Sequence, residues 1–142
     1  MLVLQWLDPN EWTPVSTLAK EKRQQLIDSG VLQQAYEAGI KSNGNVHGDL
    51  HGGNVLVKQD GDRIKVMFVD FDWCGKQGEA HYPSFMNHFD LSWHADARDG
   101  QVIMSEHDEY LLRQPHDLKQ TMEGELLSLF AQLNLSAIPE EA

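Results

Sequence analysis

The chain has 142 residues, of which 41% are hydrophobic and 23% are charged, as in an ordinary globular domain. Its 22 acidic residues outnumber its 11 lysines and arginines, and a net charge of −11 without a local basic patch argues against nucleic acid as a partner. Cys74 is the only cysteine, and no segment has the length of a signal h-region or a membrane span, so we expect an intracellular, cytoplasmic protein with no membrane partner.

The first forty residues are predicted to hold one strand and one long helix. Residues 1–7 form an apolar run that is typical of a short buried strand. Ser16 or Thr17 is expected to cap a helix over residues 16–40, and Gly30 predicts either a kink or a split into two helices. The apolar face of this helix is predicted to consist of Ile27, Val31, Ala35 and Ala38, with Leu26 and Leu32 beside it.

A β-hairpin is predicted in the middle of the chain. Residues 55–57 and 64–69 are typical of two strands, and residues 59–62 between them contain the Asp-Gly pair that hairpin turns favour. Asn54 then lies at the entrance of the hairpin and Asp70 at its exit. Two positions that are distant in sequence therefore come to the same end of the hairpin.

Polar side chains are concentrated directly before this hairpin, in the stretch His47-Gly48-Asp49-Leu50-His51-Gly52-Gly53-Asn54. Gly52 and Gly53 let the backbone turn tightly, so Asp49 and Asn54 can point into one pocket. A phosphoryl-transfer site needs a carboxylate to orient or deprotonate the attacking hydroxyl, and oxygen ligands to hold magnesium. Asp49, Asn54 and Asp70 supply these groups.

The remaining third of the chain is predicted to be a loop region followed by helices. Residues 73–104 are irregular in pattern, and Cys74 at their start is interpreted as a small apolar filler. Helices are predicted over residues 105–134, the first opened by a capping box at Ser105. The second has an apolar stripe that consists of Leu118, Met122, Leu126, Leu129, Phe130 and Leu133.

The seven histidines match no compact zinc-ligand spacing. Five of them are interpreted as loop or surface residues, namely His81, His88, His94, His107 and His116.

The central motifs resemble the protein-kinase-like superfamily. The run from His47 to Asn54, followed 21 positions after Asp49 by Asp70-Phe71-Asp72-Trp73, is similar to the catalytic loop and magnesium-binding segment of that superfamily. It has the His-Gly-Asp-Leu form of aminoglycoside phosphotransferase-like and fungal kinase-like proteins. Shorter tracts that resemble the fungal type are Tyr82-Pro83, Met86-Asn87, Trp93-His94 and Glu106-His107-Asp108. The likeness covers roughly residues 1 to 113.

The resemblance implies an α+β fold and a role for each segment. The chain would be a mainly helical C-terminal lobe whose catalytic loop, small hairpin and metal segment span residues 46–72. Residues 1–7 would be the hinge strand that touches adenine, and residues 73–104 an activation-like loop region.

The resemblance also implies the active-site chemistry. Asp49 would be the catalytic base, Asn54 and Asp70 would ligate Mg²⁺, and His51 would contact the γ-phosphate of ATP. His47 would brace the loop structurally.

Two further aspartates have weaker counterparts in the superfamily. Asp108 would brace the catalytic loop from below, and Asp72 stands where protein kinases have the glycine of their Asp-Phe-Gly motif.

The superfamily's phosphate-holding elements have no counterpart before His47. Residues 1–46 contain no glycine-rich strand turn and no lysine and glutamate placed to hold the nucleotide phosphates. We therefore expect one partial domain over residues 1–142 that lacks the N-terminal lobe, binds ATP weakly and is inactive or weakly active by itself. In a full-length parent the partners would be ATP and a hydroxyl-bearing substrate, and a protein partner would cover the face where an N-terminal lobe docks.

Two alternatives stay open. A pseudokinase-like binding or scaffold module would keep the fold without turnover. A calcineurin-like metallophosphoesterase is suggested by the resemblance of residues 48–52 to a Gly-Asp-x-His-Gly motif. In that second case Asp49 and His51 would converge with Asn87 and His88.

Overall fold

A computed structural model of the chain describes residues 7–89 and 91–114. The helices in these ranges are α1 (Lys20–Ser29), α2 (Val31–Gly39) and α3 (Ser105–Leu112). The strands are β1 (Thr13–Pro14), β2 (Asn45–Val46), β3 (Val55–Asp60), β4 (Arg63–Phe68) and β5 (Gly75–Lys76). They form two small antiparallel sheets, one in the order β1-β3-β4 and one of β2 with β5. The α+β class predicted from the sequence is confirmed.

Gly30 splits the predicted long helix into α1 and α2. It adopts φ +78°, a left-handed conformation that glycine reaches without a Cβ penalty, and its N–H donates to the carbonyl of Ile27 at 3.1 Å. The expected cap at Ser16 or Thr17 is wrong, because α1 begins at Lys20 and both residues lie in a preceding 3-10 turn.

The buried face of the two helices also differs from the predicted one. Leu26, Leu32 and Tyr36 are the buried apolar residues, whereas Ala38 is exposed. Ile27 and Val31, on the predicted face, are half-buried and pack against the same core, so the prediction is right for these two residues and wrong for Ala38. The left-handed residue between the helices resets their helical phase, which a stripe extrapolated through Gly30 does not take into account.

The hairpin of β3 and β4 pairs Val55 with Phe68 at its open end and Asp60 with Arg63 at its turn. Strand β1 pairs with β3 on the other side. Because Val55 follows Asn54 and Phe68 precedes Val69, the two ends of the predicted site meet at the open end of the hairpin.

Two groups of buried side chains flank the predicted catalytic loop, residues 47–54. One lies between the helices and the three-stranded sheet and includes Tyr36, Leu50 and Val55. The other lies under the loop region and includes Val46 and Ile103. The loop after β2 therefore runs from one apolar core to the other.

Residues 73–104 are largely irregular, with β5 and a bridge between His81 and Val102 as their described regular pairings. Cys74 is exposed, so its interpretation as a buried filler is wrong. The predicted stripe at 118–133, and the predicted strand over residues 1–7 apart from Leu7, lie outside the described residues. Among the described helices, none has the length and apolar character needed to cross a membrane.

Candidate active site

The loop after β2 is held by a close backbone approach at Gly48. This residue has φ +90°, and a Cβ there would lie 2.8 Å from Ile103 Cδ1 and 3.2 Å from Trp73 Cβ. Leu50, which is fully buried, anchors the other end of the turn. Asp49 lies between these two fixed points, so its position is set by packing on both sides.

Asp49, His51 and Asn54 form a cluster of hydrogen-bonding side chains. Asn54 Nδ2 donates to the carbonyl oxygen of Asp49 at 2.8 Å and lies 3.3 Å from its Oδ2. His51 Nε2 lies 3.5 Å from Asp49 Oδ1. The amide nitrogen of Asn54 faces the loop, which leaves its amide oxygen as the acceptor that can ligate a cation.

Gly52 and Gly53 allow neighbouring side chains to lie close to the backbone, and neither residue adopts a left-handed conformation. Neither Gly52 nor Gly53 has a positive φ. A Cβ on Gly53 would lie 2.8 Å from His51 Cε1, and one on Gly52 would lie 2.9 Å from Arg23 Nη2. The chain turns tightly here as expected, in a 3-10 turn over Gly52–Asn54, and each glycine also makes room for a neighbouring side chain.

The hydrogen bonds of His51 determine where its proton lies. Its Nδ1 accepts from the N–H of Gly53 at 3.1 Å, so the neutral ring has its proton on Nε2. That Nε2–H is next to the Asp49 carboxylate. The ring therefore presents a donor at the site, which is what contact with a phosphate oxygen requires.

His47 joins the catalytic loop to the exit of the hairpin. The ring is fully buried; its Nδ1 accepts from the N–H of Asp49 at 3.2 Å, and its Nε2 then donates to the carbonyl of Val69 at 2.8 Å. One imidazole thus bridges the residue predicted as the base and the residue before Asp70. The structural bracing predicted for His47 agrees with these contacts.

Asp70 lies at the exit of the hairpin in a strained conformation. Among the residues that the structure describes, Asp70 is the one non-glycine residue with a positive φ, at 60°, and it is exposed. Such strain is concentrated at functional sites and persists only where the surroundings impose it. Here both backbone groups of the preceding residue, Val69, are hydrogen-bonded. Its carbonyl accepts from His47 Nε2, and its N–H donates to the carbonyl of Asn54 at 3.0 Å.

Asp108 on α3 holds the start of the loop from beneath. It is fully buried and accepts three hydrogen bonds, from His47 N at 2.7 Å, Gly48 N at 2.8 Å and the Tyr36 hydroxyl at 2.9 Å. The bracing contact implied for Asp108 is present in the structure.

The carboxylate of Asp49 has a raised pKa. Burial is the largest cause, and the negative charge of Asp70 raises the pKa further, whereas His51, His47 and the hydrogen bond from Asn54 lower it. Asp49 and Asp70 are therefore close enough to repel one another. A divalent cation relieves such repulsion, and the oxygen donors of Asn54 and Asp70 fit Mg²⁺.

Sequence reasoning missed two buried residues that support this site. Tyr36 donates to Asp108, and Arg23, which is 2% exposed, donates to the carbonyl of Gln114 at 3.1 Å and lies against Gly52. Tyr36 follows Leu32 at helical spacing, and a tyrosine on an apolar helical face is the signal that could have suggested a buried hydroxyl.

The residues required by the phosphoesterase alternative have other partners. His88 Nε2 lies 2.9 Å from Asp99 Oδ1, and the carbonyl of Asn87 accepts from the Trp93 indole at 2.8 Å. Asp49 and His51 instead neighbour Asn54. The described contacts thus favour the kinase-like arrangement.

An α+β domain that has a His-Gly-Asp loop, an asparagine hydrogen-bonded to that aspartate and a further aspartate at the hairpin exit has the arrangement expected of the protein-kinase-like class. The chain is a member of the ABC1 atypical kinase-like domain family, whose profile matches residues 1–105. No curated protein and no solved structure matches it. The resemblance to the protein-kinase-like superfamily is confirmed at this level.

Proposed function

We propose that this chain is the catalytic C-terminal lobe of a magnesium-dependent phosphotransferase of the fungal kinase-like type, which moves the γ-phosphate of ATP to a hydroxyl group. The observation that supports this most is the bridge made by His47. It joins the backbone of Asp49 to the carbonyl of Val69, the residue before Asp70, and this link supports a fixed position of the proposed base relative to the proposed metal ligand. Phosphoryl transfer depends mainly on such positioning.

Asp49 is the proposed base. Its raised pKa makes the Asp49 carboxylate a stronger proton acceptor than an ordinary aspartate. Asn54 fixes the carboxylate by donating from Nδ2. The attacking hydroxyl would give its proton to Asp49.

Asn54 Oδ1 and the Asp70 carboxylate are the proposed Mg²⁺ ligands, and His51 Nε2–H is the proposed donor to the γ-phosphate. When bound, the cation supplies charge neutralisation to the phosphate oxygens. Asp70 is exposed at the exit of the hairpin, so an incoming phosphate would have access to it.

The test is magnesium-dependent ATP turnover before and after Asp49→Asn. It uses the 142-residue chain. Loss of a general base lowers turnover by about 10²- to 10⁴-fold, and we expect a decrease of that size. Asp62→Asn is the matched control, since Asp62 is exposed in the hairpin turn and its substitution leaves turnover unchanged.

Equal turnover with and without the Asp49 carboxylate would overturn its role. Absence of magnesium-dependent turnover from the unmodified chain would instead favour the pseudokinase-like scaffold.

A further inference from the structure

A second group of metal-ligating side chains lies away from the catalytic loop. His94 and Asp96 in the loop region meet His107 in the first turn of α3, and one donor atom from each lies within 4.8 Å of the others. His107 is 4% exposed, the His94 side chain 30% and the Asp96 side chain 80%. The sequence spacing of these histidines does not indicate the group, because the fold brings His94 to His107.

We propose that His94, Asp96 and His107 form a binding site for a first-row divalent transition metal ion, such as Zn²⁺. Two imidazoles and one carboxylate are the donor set that such ions prefer, and water completes the coordination of a site with three protein ligands. Asp96 and His107 also line an open cleft of about 500 Å³, which has room for that water.

The ring of His107 is already oriented by its neighbours. Its Nδ1 lies 3.1 Å from the Tyr82 hydroxyl and 3.2 Å from the N–H of Met104, which leaves Nε2 for a metal. In the metal-free protein, Nδ1 accepts from Met104, so the neutral ring has its proton on Nε2. A metal at Nε2 would displace this proton and require Nδ1 to be protonated; the Tyr82 oxygen would then accept from Nδ1–H, and the Met104 N–H would give up its bond to the ring. This is the outer-shell support that metal-ligating histidines commonly have.

His94 is held beside His107 by ring packing. The two ring centroids are 4.9 Å apart, and His94 packs edge to face against Tyr110 at 5.5 Å. His94 Nδ1 accepts from the N–H of Asp96 at 3.1 Å and lies 4.0 Å from its Oδ2. Zinc lies about 2.0–2.2 Å from nitrogen and oxygen ligands, so the three donors must draw closer together. The exposed Asp96 side chain can make most of that movement.

A metal at this site would tie the loop region to the helix that braces the catalytic loop. His107 is followed directly by Asp108, which accepts hydrogen bonds from His47 and Gly48. The proposed ion would therefore have a structural role, in which it fixes the loop region to α3, and its site is separate from the proposed magnesium site.

The experiment measures zinc binding to the chelator-treated chain by calorimetry in millimolar Mg²⁺, which occupies oxygen-rich sites. Removal of one ligand weakens binding by about tenfold or more, and we expect this for Asp96→Asn and for His94→Gln. Both side chains are partly or largely exposed, so both variants should fold. His88→Gln is the matched control, since His88 pairs with Asp99 on another exposed surface and its loss leaves zinc affinity unchanged.

A spectroscopic measurement separates this site from adventitious histidines. Zinc should shift His107 from the Nε2–H to the Nδ1–H form in long-range ¹H–¹⁵N spectra, a change that binding at a surface histidine does not cause. The proposal is overturned by an absence of zinc binding, by equal affinity in Asp96→Asn and the unmodified chain, by equal losses in the His88 and His94 variants, or by an unshifted His107 ring.

Discussion

At Gly48 two separate constraints act on a single residue. The backbone has φ +90°, and the space where a Cβ would lie is filled by Ile103 and Trp73. Gly44 shares the positive φ, at +72°, but a Cβ there would have nothing within 4 Å. The pair therefore separates the cost of backbone conformation from the cost of overpacking.

We expect Gly44→Ala to lower the free energy of unfolding by about 1 kcal/mol, the cost of a left-handed alanine. Gly48→Ala should lower it by roughly 2–4 kcal/mol, since overpacking adds about 1–3 kcal/mol to the same backbone cost. Urea unfolding followed by circular dichroism measures both. Similar losses in the two variants would show that the loop yields to the methyl group.

The thiol of Cys74 is exposed yet is expected to react slowly. Burial of its surroundings raises its pKa above the ordinary value, and the charge of Asp108 raises it further. Since the thiolate is the nucleophile, less of it is present at neutral pH than in a free cysteine peptide. Iodoacetamide alkylation at pH 7.5 should therefore be slower in the folded chain, and its rate should rise as pH increases through 9.

The matched control for this reaction is the same chain in urea, where Cys74 should react as an ordinary cysteine. Equal rates in the folded and unfolded chains would contradict the raised pKa.

At the scale of elements, α3 and α2 position the catalytic loop through one buried carboxylate. Asp108→Asn replaces one acceptor oxygen with an NH₂ group, so a buried backbone N–H of His47 or Gly48 faces a donor. We expect a loss of about 2–3 kcal/mol in unfolding free energy, because an unsatisfied buried donor costs about 1–3 kcal/mol. Tyr36→Phe removes one donor and keeps the carboxylate, and should cost about 1 kcal/mol.

Chemical unfolding of the two variants beside the unmodified chain checks this order. A larger loss for Tyr36→Phe than for Asp108→Asn would show that the hydroxyl, and not the loop backbone, is the main partner of the carboxylate.

The elements that the sequence predicted are those specified by short-range patterns. The hairpin of β3 and β4 has its Asp-Gly turn, and α3 begins at Ser105 as predicted, although its capping box is formed by Met104 and His107. Strands β1 and β5 were missed because each has two residues and is defined only by its partner strand. The bond from Tyr36 to Asp108 spans 72 positions, and no local pattern predicts such a contact.

The same distinction holds for the candidate site. Asp49, His51 and Asn54 lie within six residues, so their proximity followed from the motif, and the hairpin brought Asp70 to them. The tertiary links through His47 and Arg23 had to be observed, since their partners Val69 and Gln114 are 22 and 91 positions away.

At the scale of the whole molecule, the catalytic loop lies between two apolar cores, while the chain has a net charge of −11. The packing holds the carboxylates in place, but the overall field repels an anionic nucleotide. Residues 1–46 supply no glycine-rich turn or paired lysine to offset that repulsion. The chain by itself is therefore expected to bind Mg-ATP weakly.

A thermal-shift measurement with Mg-ATP tests this expectation. If the dissociation constant is about 1 mM or higher, 1 mM nucleotide stabilises the fold by about 0.4 kcal/mol or less. For a domain of this size that corresponds to a rise in Tm of about 2 °C or less. Asp70→Asn, which removes a proposed Mg²⁺ ligand, is the control and should abolish even this rise. A shift of about 5 °C at 100 µM nucleotide would show instead that the described residues hold the phosphates without further elements.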